Sequence, residues 1–417
     1  LSKISSHFCP YKKLSCYTVE ERKVIKMVVA RVPITPHVIK YYIDTSNINL
    51  EDLEKDANLK NINGWLDLSA QPTFNQLNQL SKKIKVPFGY LLLNDIQKEE
   101  PSLIEYRTVL NNEVDKPSRD LLETIDDMED KQDWMRDFLI RNSYEKLNFV
   151  NKFSKKDSVQ TIAQGIRHTL QLEETWFVNC QYNNAFNYLR DKFENAGILV
   201  MQNGVVKANT HRNLNVDEFR AFVLVDDYAP LIFINSTDSN GGKIFSLFHE
   251  VAHIFLGESD LFNDNNVSHP IYRNDLEVLC NDIASELCIP APYFKELWAK
   301  NTERATFNKI HYIAQKCKIS ILAVAVKALK NRYIDEQEYY KIRNESLKYY
   351  KKENTKKKEN NGNGINTAVS RIDKRFFQFL SNDIKSGNTQ YTDAYRLLNT
   401  NRKTFDKIER KILEGKS

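Results

Sequence analysis

The sequence predicts a mostly helical α+β fold with one small β-sheet, flanked by helical modules. Three short runs rich in β-branched and aromatic residues, 198–201, 219–225 and 230–234, are separated by turn residues, as strands are. They stand immediately before a long apolar helix at residues 244–257. The chain on either side has the hydrophobic period of helices. A block of strands joined to helices in this way is typical of an α+β domain.

Composition limits the class of protein. The chain has 417 residues, of which 41% are hydrophobic and 28% charged, as in soluble globular proteins. It contains no run of about 18 apolar residues that could span a membrane. The first residues lack the apolar core of a secretion signal. We therefore expect a cytoplasmic protein of two or three domains with no membrane partner.

Changes in periodicity and composition divide the chain into six predicted segments. Residues 1–26 show no clear period and precede Met27, so we expect a non-native or disordered extension there. The short helices and tight turns that follow are typical of a helix-turn-helix module. The predicted segments are the extension (1–26), the helix-turn-helix module (27–100), a helical connector (101–175), the domain with the strands and the apolar helix (176–345), a basic flexible linker (346–365) and a helical C-terminal appendage (366–417).

The apolar helix contains the pattern His249-Glu250-Val251-Ala252-His253. Residues four apart project from one face of a helix, so both imidazoles can bind one zinc ion. Glu250 is next to the first histidine, where a carboxylate can take a proton from a zinc-bound water whose pKa is about 7. Such a pattern also arises by chance in buried helices. Here the preceding strands favour a metal site with ligands His249 and His253 and the general base Glu250.

A catalytic zinc needs a third protein ligand and an open fourth position. Glu277 is the favoured candidate, because Asn281 is one helical turn further on and can orient a ligand histidine. Glu286, nine residues after Glu277, is the rival, and a structural carboxylate is its other interpretation. His269 can also supply a ligand nitrogen, but it precedes Pro270 in a predicted loop and is expected to be exposed.

Two further features leave alternatives open. The side chains of His211, His269 and Tyr272 are possible donors to a developing oxyanion, although packing or surface roles are more common for such residues. The strands at residues 219–225 and 230–235 either bind an extended peptide by strand addition or form a plain core hairpin.

At these motifs the sequence resembles the ImmA/IrrE family of zinc metallopeptidases over residues 30–345. Three segments carry the resemblance: residues 229–235 (APLIFIN), 244–253 (IFSLFHEVAH) and 277–290 (EVLCNDIASELCIP). It implies a zincin-like, gluzincin-type peptidase domain with Zn²⁺ held by His249, His253 and Glu277 and with Glu250 as the base. It also implies a protein substrate, namely a helix-turn-helix repressor that is cut in a stress response, a mobile element or a toxin–antitoxin-like gene pair.

The resemblance extends to the N-terminal region. Residues 105–107 (EYR) and Trp134 resemble the part that joins the N-terminal module to the peptidase in long members of the family. Trp65 and the segments 72–73 (PT) and 86–88 (VPF) resemble an Xre-type helix-turn-helix. This resemblance also leaves a second function open, that of a DNA- or toxin-binding regulator in which the zinc domain is a scaffold or sensor.

The charge distribution argues against DNA as the main partner. Residues 34–100 contain 7 Lys and Arg against 9 Asp and Glu, whereas non-specific DNA affinity rests on positive charge. Residues 340–417 hold the excess, with 19 Lys and Arg against 9 Asp and Glu. The basic cluster at residues 351–358 is typical of a solvated linker. We therefore expect the N-terminal module to dock protein or to dimerise rather than to bind DNA.

Overall fold

A computed structural model describes residues 30–96 (except 45, 47 and 85), 117–257, 261–262, 275–301, 305–357 and 364–413. The chain divides into two compact units, Leu1–Lys98 and Glu99–Ser417. The predicted extension at residues 1–26 and the motif at 105–107 lie outside the described residues. Within the described part, no helix is both long and apolar enough to cross a membrane.

The first unit builds a small core from short helices. Trp65 is its largest fully buried side chain. Thr73 caps the last α-helix: its hydroxyl accepts from the Gln76 N–H at 3.3 Å, and the Gln76 side chain accepts from the Thr73 N–H at 2.8 Å. Helix-turn-helix identity stays a prediction. The elements are α1 (Pro36–Asp44), α2 (Leu50–Glu54), α3 (Ile62–Leu66), α4 (Phe74–Ile84) and a 3₁₀ turn (Phe88–Leu92).

The second unit begins with helices that later pack around the sheet. Ser118 caps the first of them, because its hydroxyl accepts from the Leu121 N–H at 3.2 Å. Gly197 ends the third in the left-handed region, with φ of 101°, which glycine adopts without strain. The elements are α5 (Arg119–Arg141), α6 (Val159–Leu170), two 3₁₀ turns (Trp176–Val178 and Tyr182–Asn184) and α7 (Ala185–Ala196).

The predicted strands form one sheet with the order β1-β3-β2-β4. Its strands are β1 (Leu199–Asn203), β2 (Ala221–Leu224), β3 (Leu231–Asn235) and the two-residue β4 (Leu261–Phe262), which the sequence did not predict. β1 runs parallel to β3, whereas β2 is antiparallel to both β3 and β4. Because β3 is paired on both sides, a peptide cannot add to it, which excludes strand addition at residues 230–235.

Helices make up the rest of the second unit. The longest one after the sheet, α13, continues to Lys357, into the segment that the sequence predicts as a flexible linker. Lys and Glu are good helix formers, which accounts for the difference. The elements are α8 (Asn240–Leu256), α9 (Asp275–Cys288), α10 (Ala291–Lys300), α11 (Thr306–Cys317), α12 (Ile321–Lys330), α13 (Glu336–Lys357), α14 (Gly364–Arg371), α15 (Lys374–Lys385), α16 (Tyr391–Leu397) and α17 (Arg402–Leu413).

The sheet separates two hydrophobic cores, because side chains alternate between its faces. Val200 and Ile232 belong to the core built with α8 and α9. Met201 and Phe233 belong to the other core, which also contains Phe376 and residues of α5. The mostly helical α+β class predicted from the sequence is thereby confirmed. The predicted domain bounds stay predictions, although the C-terminal helices share their core with the sheet.

Candidate metal centre

Helix α8 carries the histidine pattern through the interior of the second unit. Its side chains from Leu247 to Leu256 are all buried, as expected for a helix that is apolar on every face. Ser239 caps its start by accepting from the Gly242 N–H at 3.1 Å, and Gly257 ends it in the left-handed region. Both ends of α8 are therefore capped by residues that lie outside the histidine pattern.

Packing around α8 sets its rotation. Phe248 contacts the rings of Trp176 and Phe193, and the Trp176 indole N–H donates to the Leu287 carbonyl on α9 at 3.1 Å. A Cβ on Gly241 would lie 2.3 Å from the Ser320 backbone nitrogen, so this close approach requires glycine. Sequence analysis did not assign a role to Trp176 or Gly241. The sequence feature that could have indicated this close approach is the pair of adjacent glycines, Gly241 and Gly242, just before the apolar run.

The structure brings His249, His253 and Glu277 together between α8 and α9. His249 Nε2 lies 3.1 Å from His253 Nε2 and 3.2 Å from Glu277 Oε2, and His253 Nε2 lies 3.2 Å from Glu277 Oε1. All three side chains are buried. They form a group of His, Cys, Asp and Glu side chains that is compact enough to hold a metal ion, within the part of the chain that the structure describes.

The spacing of these atoms fits a tetrahedral metal ion. Ligand atoms at normal zinc distances from a tetrahedral centre lie about 3.3–3.4 Å from one another. The observed separations of 3.1–3.2 Å, which involve a different Glu277 oxygen for each histidine, are shorter than this by about 0.1–0.3 Å. Two imidazole nitrogens and one carboxylate oxygen are also a donor set that zinc accepts. Three such ligands leave a fourth position for water or substrate.

Asn281 fixes the orientation of one imidazole. Its side-chain Oδ1 lies 3.1 Å from His249 Nδ1. An amide oxygen can only accept, so with this amide assignment the proton of His249 is on Nδ1. The lone pair of Nε2 is then directed at His253 and Glu277. Asn281 thus lies where sequence analysis expected a residue that orients a ligand.

Electrostatics favour a charged carboxylate at the centre of the group. Burial raises the pKa of Glu277, but wherever His249 and His253 carry a proton on Nε2, their hydrogen bonds and positive charge outweigh burial and bring that pKa well below the ordinary value. Neutral histidines whose Nε2 lone pairs face Glu277 give no such compensation. A buried anion of this kind is costly unless a cation accompanies it. A divalent metal ion would supply that charge.

Glu250 is fully buried beside His249 on α8. The rival Glu286 lies elsewhere: its carboxylate accepts from the Ala291 N–H at 3.1 Å, at the start of α10, and lies 3.6 Å from the Lys327 ammonium. His211 is exposed in the connection between β1 and β2. His269 and Tyr272 lie outside the described residues, so their predicted roles stay predictions.

Comparison with known proteins agrees with this geometry. Residues 193–329, about a third of the chain, match the family model of the IrrE N-terminal-like domain, Peptidase M78. The match includes the strands together with α8 and α9, and it supports a metallopeptidase of the ImmA/IrrE family, the resemblance that the motifs predicted. Residues 372–411 match a domain of unknown function, DUF8813. No curated protein matches the chain.

Proposed function

We propose that this chain is a zinc-dependent endopeptidase that cuts a protein substrate at one selected site. The proposal rests on the convergence of the two histidine Nε2 atoms, 3.1 Å apart, on the Glu277 carboxylate, one of whose oxygens lies 3.2 Å from each of them. Structural zinc sites use four protein ligands, whereas catalytic sites use three and leave a position open. Among the described residues, this group offers three, which favours catalysis.

In this proposal, the residues of α8 and α9 have different roles. His249, His253 and Glu277 bind the ion, and Asn281 holds the His249 ring in the binding tautomer. Zinc, when bound, supplies Lewis acidity and makes water acidic enough to react at neutral pH. Glu250 accepts the proton of the attacking water as the scissile carbonyl is attacked, and it then donates that proton to the leaving amine. The oxyanion donor is not assigned.

We propose a helix-turn-helix transcriptional repressor as the substrate, in a stress-response, mobile-element or toxin–antitoxin-like system. The ImmA/IrrE resemblance of residues 193–329 supports this class. In the first unit, α3 has only five residues, and Ile62, Gly64 and Trp65 among them are buried, so it offers little to a DNA groove. Exposed Leu68 and Phe74 suit contact with a protein instead.

Replacing Glu250 tests the mechanism. Glu250→Gln keeps the size of the side chain but removes the base, so cleavage of the substrate, which we expect to be a repressor encoded nearby, should fall by about 10²–10⁴-fold. Zinc content should stay at one ion per chain, because the three ligands are intact. Cleavage is followed by mass spectrometry of the fragments, and zinc by elemental analysis. Glu296→Gln, an exposed glutamate on α10, is the control and should cleave like the wild type.

Two results would contradict this assignment. Undiminished cleavage by Glu250→Gln would exclude Glu250 as the base. Stable co-purification of the wild type with an intact partner, with zinc bound and no cleavage under any condition, would favour the alternative of a DNA- or toxin-binding regulator whose zinc domain is a scaffold or sensor.

A further inference from the structure

A cavity of about 280 Å³ lies on the opposite side of the sheet from the metal centre. It is bounded by α5, the end of β1, and the C-terminal helices α14 and α17. Its volume is just below the range of about 300–1,000 Å³ that is usual for small-molecule sites. The described residues that line it do not include His249, His253 or Glu277, so the cavity is separate from the metal centre.

The lining of this cavity carries an excess of positive charge. Lys131, Lys207 and Arg371 line it, whereas Asp127 is the one carboxylate among its described lining residues. Asp127 is already engaged, with the Lys131 ammonium at 2.7 Å and the Asn399 amide donating to it at 2.7 Å. After this pairing, two positive charges remain on the described lining.

The excess charge is costly without a ligand at the partly buried Arg371, whereas Lys207 is exposed and Lys131 is paired with Asp127. Burial is the main cause that lowers the pKa of the Lys131 ammonium, and the nearby charge of Lys207 lowers it further. Burial also lowers the pKa of the Arg371 guanidinium. Within the described part of the chain, Arg371 makes no ion pair or side-chain hydrogen bond. Its planar fork is free to bind an anion through two parallel hydrogen bonds.

The other residues that line the cavity favour a ligand that is larger than a simple inorganic ion. Asn401, which caps α17 by accepting from the Thr404 N–H at 3.1 Å, places the positive end of that helix at the cavity. Met128, Phe233 and Ile372 provide an apolar side. A ligand that fits this cavity therefore has an anionic group beside the cations and an organic part against the apolar side chains.

We propose that this cavity binds a small phosphomonoester. A phosphomonoester carries a charge of about −1.5 to −2 at neutral pH, which balances the two remaining positive charges better than a single carboxylate does. The limited volume restricts the organic part to about the size of a sugar or a nucleoside. The ligand would join α5 and β1 to α14 and α17, so its binding stabilises the attachment of the C-terminal helices.

Thermal unfolding of the full chain tests this site with ribose 5-phosphate and AMP as probes. At concentrations well above the Kd, at least one of them should raise the Tm by about 3–5 °C. Ribose and adenosine, which lack the phosphate, should leave the Tm unchanged. The same shift should appear in Glu277→Ala, because the probes could otherwise act by binding a metal ion at the other site.

Matched charge variants locate the binding. The double variant with Lys207→Gln and Arg371→Gln should lose the shift, whereas Arg396→Gln, an exposed arginine on α16 outside the cavity, should keep it. Circular dichroism checks that the double variant is folded, as expected because Arg371 has no partner to lose among the described residues. Absence of a shift with either phosphomonoester in the wild type, or an equal shift in the double variant, would overturn the proposal.

Discussion

Two buried polar clusters in the second unit are built in different ways. At β1, the Arg190 guanidinium lies 2.8 Å from the Glu194 carboxylate and donates to the Val200 carbonyl at 2.7 Å. The Asp373 carboxylate accepts from the backbone N–H groups of Val200 and Phe376 at 3.0 and 2.8 Å. In this cluster, donor groups of the protein lie beside acceptor groups.

The cluster between α8 and α9 lacks that complementarity. The histidine Nε2 atoms and the Glu277 carboxylate converge on one point, and a neutral imidazole nitrogen that lacks a proton can only accept. At β1, the protein itself places a donor group beside each carboxylate, namely the Arg190 guanidinium beside Glu194 and two backbone N–H groups beside Asp373. A cation would complete the convergent cluster. The contrast suggests that convergence of acceptors, rather than burial alone, is the feature that marks a candidate metal site.

Of the substitutions that separate these two clusters, removal of Glu277 should have the largest effect on zinc affinity. Glu277→Ala takes away one of three ligands, so zinc affinity should fall by more than about 100-fold, beyond the usual effect of losing an outer partner. Titration with a competing chelator measures the affinity. Glu286→Gln is the matched control on the same helix and should bind zinc normally. Normal zinc affinity in Glu277→Ala together with weakened affinity in Glu286→Gln would show that the ligand assignment to Glu277 is wrong.

Asn281 should have a smaller effect, because it positions His249 and does not bind the metal. Asn281→Leu removes the acceptor for His249 Nδ1, and zinc affinity should fall by about 10–100-fold. Asn281→Asp keeps an acceptor at the same place and should retain the affinity. Equal zinc affinity in the two variants would show that the 3.1 Å contact has no part in orienting the ring.

The candidate metal-binding residues could be predicted from the sequence because their relative positions depend on local helical spacing. The spacing of His249 and His253 follows from one helical turn, and Glu277 and Asn281 are related by another. Their convergence needed only the packing of one helix on the next. Zinc as the metal and the roles of these residues stay predictions. The order of the strands was not predictable in this way, because β3 pairs between β1 and β2 through contacts that no local pattern encodes.

Long-range features were missed for the same reason. The cavity joins Asp127 to Asn399, which are 272 residues apart in the chain. A segment such as residues 351–357 was ambiguous for another reason. Its charge favours a solvated linker, but its Lys and Glu residues favour a helix, and α13 extends through it.

The cluster at β1 gives a predicted effect of a different kind, a change in stability with pH rather than in metal affinity. Burial and, to a smaller extent, the nearby Asp373 carboxylate raise the pKa of Glu194 to about 8, although Arg190 opposes the shift. Burial likewise raises the pKa of Asp373. Below pH about 4.5, Glu194 is protonated in both the folded and the unfolded chain. Above it, the unfolded chain loses this proton first, so the folded state is progressively disfavoured until about pH 8.

Glu194→Gln removes this titration while keeping a side chain of the same size. The free energy of unfolding of the wild type should therefore decrease relative to that of the variant as the pH rises from about 4.5 to about 8, by at most about 1.4 kcal/mol per pH unit. Urea unfolding at several pH values measures the difference. Glu296→Gln, at an exposed position, should show no such trend. A difference that grows in the opposite direction would mean that Glu194 is charged in the folded chain, held by Arg190 as a simple ion pair.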